Sequence, residues 1–332
     1  MRRSFSLVIP TILLGMLLAG SLIILLFTGA EPQAKPIHVV AVLKTIDVNM
    51  EFWEVVKSGM NVAAKEFDVD ISVRGPWAES DVSGQLKIMD DVIAQQPDGI
   101  ILAATDYAAL VPPVRKAREE GILVVTLDSG VDSDLPAAFV ATNNVEAGEK
   151  AGATMAKLLK GGEAVAVVNH IKGATTAMER EEGTLRAIGE GNRFQVLGVW
   201  YTNNFVENAY AIADELMAKH PNLGGFLAMN EVSTVGVARA LRDRGRSDIR
   251  LVGFDNSLFE VKLIEEGIID ATVVQQPFNM GYLAVRAMRD AHSGKRPEPF
   301  IDTGSLLVTP ENMYLPEIQK ILFPFADRRE PQ

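Results

Sequence analysis

Along most of this chain, short apolar runs alternate with longer stretches in which apolar residues recur every three or four positions. A short apolar run bounded by turn residues reads as a buried strand, and the longer spacing reads as an amphipathic helix. The pattern predicts strands at 38–43, 70–73, 99–103, 123–127 and 138–141, then at 164–168, 195–200, 226–229, 250–254 and 271–274. Helices are predicted between them at 52–67, 82–95, 110–120, 147–159, 177–190, 208–219 and 232–244, with Gly121, Gly245 and Lys160-Gly161-Gly162 as stops. Strand and helix in unbroken alternation predict a doubly wound α/β architecture. Two five-strand halves follow, separated near Asn143 and Asn144. After Gln275 the pattern offers a helix at 280–291 and a strand at 305–309, too little to bury a core of its own. This tail is expected to complete the two halves, so that the lobes are 37–142 with 277–304 and 143–276 with 305–325. Lobes joined by several short crossings form a hinge over a cleft.

Open parallel sheets bind ligands outside the carboxyl ends of their strands. Asn230 follows the strand 226–229 and Asp255 follows the strand 250–254, so both are expected on that edge. Asn230 offers two donors and an acceptor and Asp255 only acceptors, which suits a hydroxylated ligand; the alternative is that both merely cap the next helix. Asp128, after the strand 123–127, is the counterpart in the first half, or else a turn residue before Gly130. Asp132 and Asp134 lie close by, but the spacing misses a calcium loop and its distal Glu. Arg180, in the run MEREEG, either forms solvated pairs with its glutamates or turns a planar fork toward the cleft. Phe52 and Trp53 open the first helix, where one is expected to be buried and the other to face the cleft. Phe205, with Trp200 and Tyr201, makes a similar cluster in the second half, and Trp77 fits either role.

Composition narrows the function. A chain of 332 residues with 48% hydrophobic content builds two ordinary domains. A formal net charge of -11 argues against nucleic acid as a partner. The absence of cysteine excludes disulfides, thiolate catalysis, Cys-ligated metal and a lipid-bearing cysteine. Arg2 and Arg3 precede an uncharged apolar run at 5–30, which reads as an export signal or a membrane span. Its length, sufficient for the roughly 20 residues a span needs, favours a retained anchor, whereas Thr28, Gly29 and Ala30 fit a cleavage site. Either way the rest lies outside the cytoplasm, with 31–36 as a tether. The four histidines show no metal-ligand spacing, there is no nucleophile elbow or P-loop, and the GEKAG run at 148–152 is too sparse for a nucleotide fingerprint. Asp128 with Asp255 has the residue types of a glycosidase pair, but both accept hydroxyl hydrogen bonds equally well without chemistry. Neither an enzyme nor a cofactor is expected.

The segments VVTLDSG (124–130), TNNVEAGEKAG (142–152), AMEREEG (177–183), AMNEVSTVG (228–236), LVGFDNS (251–257) and ATVVQQP (271–277) follow one another in an order that resembles the type I solute-binding proteins of bacterial ABC importers, in the ribose-binding group. The resemblance runs over about 37–309. It implies that Asp128, Arg180, Asn230, Asp255 and Gln275 hydrogen-bond a sugar, that Phe52, Trp53 and Phe205 sandwich its ring, and that the hinge lies near 142–144, 275–277 and 304–306. Ser129 stands where ribose binders carry a second arginine, Ala103 and Ala104 where an asparagine reads a hydroxyl, and the loop between Thr45 and Phe52 is longer. These departures point away from ribose and toward a hexose, an inositol or another small polyol. The implied partner is an ABC permease, or, as the alternative, a membrane sensor kinase or chemoreceptor.

Overall fold

The computed structural model describes residues 36–323. The apolar run at 5–30, most of the tether, and the last residues of the expected second lobe lie outside them. Among the described residues no helix is long and apolar enough to cross a membrane.

Two six-stranded sheets form two α/β lobes. The first holds β1 (Ile37–Val42), β2 (Val69–Arg74), β3 (Gly99–Leu102), β4 (Leu123–Leu127), β5 (Phe139–Ala141) and β11 (Phe300–Asp302), in the order β11-β5-β4-β3-β1-β2. Every pairing in it is parallel. The second holds β6 (Ala164–Asn169), β7 (Gln195–Tyr201), β8 (Leu223–Ala228), β9 (Arg250–Phe254), β10 (Ala271–Gln275) and β12 (Ser305–Val308), in the order β12-β10-β9-β8-β6-β7. Only β12 runs antiparallel to its neighbour. The central strands are apolar without alternation, as in Gly-Ile-Ile-Leu of β3 and Ala-Val-Ala-Val-Val-Asn of β6, and are buried throughout. That is the pattern of a parallel sheet covered by helices on both faces.

In the first lobe α1 (Glu51–Phe67) and α9 (Pro277–His292) cover one face, and α2 (Val82–Ala94) and α3 (Val111–Glu119) the other. In the second, α4 (Asn144–Leu158) and α5 (Thr175–Gly189) oppose α6 (Val206–Lys219), α7 (Glu231–Arg244), α8 (Leu258–Glu265) and α10 (Pro316–Leu322). Helices α4 and α5 touch through glycines: a Cβ on Gly148 would lie 2.3 Å from the Arg180 carbonyl oxygen, and one on Gly183 1.9 Å from that of Val145. The GEKAG glycines are thus a packing device that brings α5, and with it Arg180, onto the sheet.

The chain passes between sheets after β5, after β10 and after β11. The three strands of this hinge are tied together: the Asn143 N–H donates to Asp302 Oδ1 at 3.0 Å, and Gln276 Nε2 donates to the Thr303 carbonyl at 2.8 Å. The predicted strands and helices are present with small shifts at their ends. Four elements fall outside the prediction, one of them a 3-10 turn at Glu190–Asn192. β11 is three residues long and half-exposed within a proline-rich stretch, while α8 and α10 are only 8 and 7 residues and lack a sustained period. With β11 added to the first half and the expected tail strand, β12, to the second, the five-strand halves become six-stranded sheets.

Candidate ligand-binding site

Because both sheets are parallel through their centres, their strand ends face one another across the cleft. Lys44 follows β1, Asp128 follows β4, His170 follows β6, Asp255 follows β9, and Gln275 ends β10. Asp128 and Asp255 adopt left-handed backbone conformations, with φ of 59° and 71°. Asp tolerates that region better than branched or bulky residues. The same turn at the end of one strand in each lobe puts two carboxylates on opposite walls.

Each carboxylate has a cation. Lys44 Nζ lies 2.7 Å from Asp128 Oδ2. Arg180 Nη1 lies 3.9 Å from Asp255 Oδ2. Arg180 is only 2% exposed, which rules out a solvated pairing with its neighbouring glutamates. Its Nε donates to Asn144 Oδ1 at 2.9 Å, its Nη1 to the Met229 carbonyl at 2.7 Å, and its guanidinium sits 4.6 Å from the centre of the Phe254 ring. Asp255 accepts from Gln275 Nε2 at 2.6 Å and from the Glu231 N–H at 3.2 Å. Asn230 caps α7 by accepting from the Ser233 N–H at 3.0 Å, so the capping reading holds together with a place on the cavity wall.

Seven of the eight expected site residues line one cavity: Phe52, Trp53, Asp128, Arg180, Asn230, Asp255 and Gln275. The eighth, Phe205, does not reach it. It precedes α6, directly after Asn203 and Asn204 in left-handed conformations, and is 49% exposed. Phe52 and Trp53 meet edge to face with ring centroids 5.0 Å apart; both line the cavity although Trp53 is almost fully buried. Lys44, Met50, Glu79, His170, Thr176 and Glu231 complete the lining and were not singled out from the sequence. Lys44 had a legible signal, a lone charge at the end of an apolar strand; Glu79 sits in an irregular segment and had none. Among the described residues, no group of three or more His, Asp and Glu is arranged to hold a metal ion.

The lobes meet over this cavity. The Tyr107 N–H donates to the Gly173 carbonyl at 2.9 Å, Thr175 Oγ1 to the Gly130 carbonyl at 3.1 Å, and Asn204 Nδ2 to Glu79 Oε2 at 3.1 Å. The space among these residues, open solvent at the cleft mouth included, is about 380 Å³. Burial, reinforced by Asp255, pushes the Glu231 carboxyl up to about 8, and burial with Glu231 beside it drives Glu260 well above the carboxylate range. Burial, then Arg180 and Lys44, hold His170 well below its ordinary value, so its ring is neutral near pH 7. The ionised groups that remain face to face are the two ion pairs, with Glu79 beside them pushed up by burial and pulled down by Lys44. Such a site presents many hydrogen-bonding atoms and little net charge.

A doubly wound pair of lobes hinged by three crossings, with donors and acceptors at facing strand ends, defines a bilobal solute-binding fold. The family profile of the periplasmic binding protein domain matches residues 40–296, and the chain belongs to that family. It is 27% identical to a D-ribose/D-allose-binding protein of Pseudomonas aeruginosa over 81% of this chain and 86% of that protein. It is 29% identical to the D-allose-binding periplasmic protein of Escherichia coli, over 76% of this chain and 84% of that one. A solved ABC transporter solute-binding protein from Agrobacterium vitis, with bound D-fucose, superposes with a TM-score of 0.82 at 31% identity, covering 86% of this chain and 99% of that one.

Proposed function

We propose that this chain is an extracytoplasmic binding protein that closes on one small, uncharged sugar or polyol and delivers it to an ABC permease. The observation that carries the reading is the balanced pair of ion pairs, Lys44 with Asp128 and Arg180 with Asp255, one on each wall of the cavity between the lobes. Carboxylates accept from sugar hydroxyls, and hydrogen bonds to charged groups contribute about 1.5–3 kcal/mol each. Gln275 Oε1 is buried without a protein partner and supplies a further acceptor. The rings of Phe52 and Trp53 give an apolar face against which a sugar ring can lie. Lys44 supplies a cation on the wall where Ser129 replaces an arginine, so the departures from the ribose pattern reshape the site without emptying it of polar groups. The relatives named for ribose, allose and importers support this class of ligand and partner. Export would fall to the apolar run behind Arg2 and Arg3.

A thermal-shift screen against D-allose, D-ribose, D-arabinose, D-fucose and myo-inositol tests the reading, with glucuronate and glucosamine as charged controls. A ligand at about 100 times its dissociation constant adds roughly 2.7 kcal/mol of stability. At least one neutral compound is expected to raise the melting temperature and to be recovered chemically unchanged. A shift only with a charged control, or conversion of the bound sugar to a product, would contradict the proposal.

A further inference from the structure

Glu79 lies between β2 and α2 of the first lobe and joins three side chains into one line across the cleft. Its Oε1 accepts from the Trp53 indole N–H within its own lobe. Its Oε2 accepts from Asn204 Nδ2, which belongs to the loop between β7 and α6 of the other lobe, at 3.1 Å. Asn204 Oδ1 in turn accepts from Asn230 Nδ2 at 2.7 Å. Since Asn230 Oδ1 is taken by the Ser233 N–H, the orientation of the Asn230 amide is fixed from both ends, leaving one N–H to donate. The Asn204 loop is itself held in place: Asn203 and Asn204 have φ of 53° and 61°, the Asn203 N–H donates to the His170 carbonyl at 2.9 Å, and the Asn204 N–H to Thr202 Oγ1 at 3.2 Å. The other bonds between the lobes described above run through the Gly130 and Gly173 loops, so Glu79 ties a separate part of the cleft.

We infer that Glu79 is a positioning residue for the binding site: through Asn204 it aims the Asn230 amide at the ligand and at the same time latches the lobes shut. The latch favours the closed form with or without ligand, and apparent affinity rises with the fraction of closed protein. The inference rests on the reading that the chain closes on a sugar. The polarity of the line dictates its own test. A carboxylate accepts at both oxygens, so E79A removes both links and N204D sets two carboxylates against each other. The exchanged pair E79Q/N204D restores every bond. In it the side-chain oxygen at position 79 accepts from Trp53 and the amide there donates across the cleft to the carboxylate at position 204, whose other oxygen still accepts from Asn230.

Calorimetry of the full chain with D-allose, D-ribose, D-arabinose and D-fucose is expected to show tenfold or greater weakening in E79A and N204D. E79Q/N204D is expected to return to within threefold of wild type. A purely structural role or a direct contact of Glu79 with sugar would not produce that rescue, and an exchanged pair that binds no better than N204D overturns the inference. Small-angle scattering without sugar gives a readout independent of binding. E79A and N204D should have larger radii of gyration than wild type, and the exchanged pair should match it. Equal radii in all four proteins overturn the latch even if no sugar binds, whereas expanded single variants alongside a sugar-blind wild type would refute only the proposed ligand class.

Discussion

Asp255→Asn isolates what one strand-end carboxylate contributes. The substitution keeps volume and suits the left-handed backbone at φ 71°, so the turn after β9 is preserved. It replaces one of two equivalent acceptor oxygens by a donor and removes the charge opposite Arg180. Arg180 keeps its bonds to Asn144 and to the Met229 carbonyl, and its 3.9 Å approach to Asp255 is longer than a hydrogen bond. Breaking a close buried ion pair costs about 3–5 kcal/mol, so the loss of folding stability here should fall below about 3 kcal/mol. Affinity should suffer separately, by the roughly 1.5–3 kcal/mol of a charge-assisted hydrogen bond to the ligand, or about ten- to hundredfold in dissociation constant. Calorimetric titration with the neutral sugar that best stabilises wild type, on protein shown by circular dichroism to be folded, measures it. A dissociation constant within threefold of wild type would refute the assignment of Asp255 to the ligand.

Three further outcomes are expected. Gly148→Ala places a methyl group 2.3 Å from the Arg180 carbonyl oxygen, so it should cost about 1–3 kcal/mol of stability and weaken sugar binding by displacing α5; chemical denaturation and calorimetry check both, and an unchanged variant would break the link between that glycine and the site. The Glu231 carboxyl is raised to about 8 in the folded chain, so between its unfolded value near 4.5 and about 8 the native state binds more protons, and stability should fall as pH rises through that window. Melting temperatures from pH 5 to 9 should fall less steeply in Glu231→Gln than in wild type, with Glu260 keeping a fall of its own; equal slopes in the two proteins would point to another group. Phe205→Ala should change sugar affinity less than threefold while Phe52→Ala weakens it more than tenfold, since Phe52 lines the cavity and Phe205 is half-exposed; the reverse order by calorimetry would place Phe205 against the ligand after all.

Two kinds of information were legible in the sequence and one was not. Unalternating apolar runs such as those of β3 and β6 announce buried parallel strands, and a polar residue at the end of such a run announces the cleft; Asp128, Asn230, Asp255 and Gln275 were all found in this way or through their family motifs. Arg180 was ambiguous, because a helix face is set by packing. The glycine contact between α4 and α5, invisible until the helices are paired, is what buries it. Glu79 and Asn204 were missed because both lie in irregular segments and matter only through each other, across 125 positions of chain. Phe205 illustrates the converse: it is half-exposed and outside the lining of the cavity, which residue type alone does not report.

A crystal structure of the chain with the neutral sugar that stabilises it most would show the ligand's contacts outright. One monosaccharide-sized ligand is expected between the lobes, with hydroxyls donating to Asp128 and Asp255, Arg180 and Asn230 donating to ring or hydroxyl oxygens, and one face of the ring against Phe52 or Trp53. A sugar bound outside this cavity, or inside it with neither aspartate within hydrogen-bond distance, would contradict that expectation.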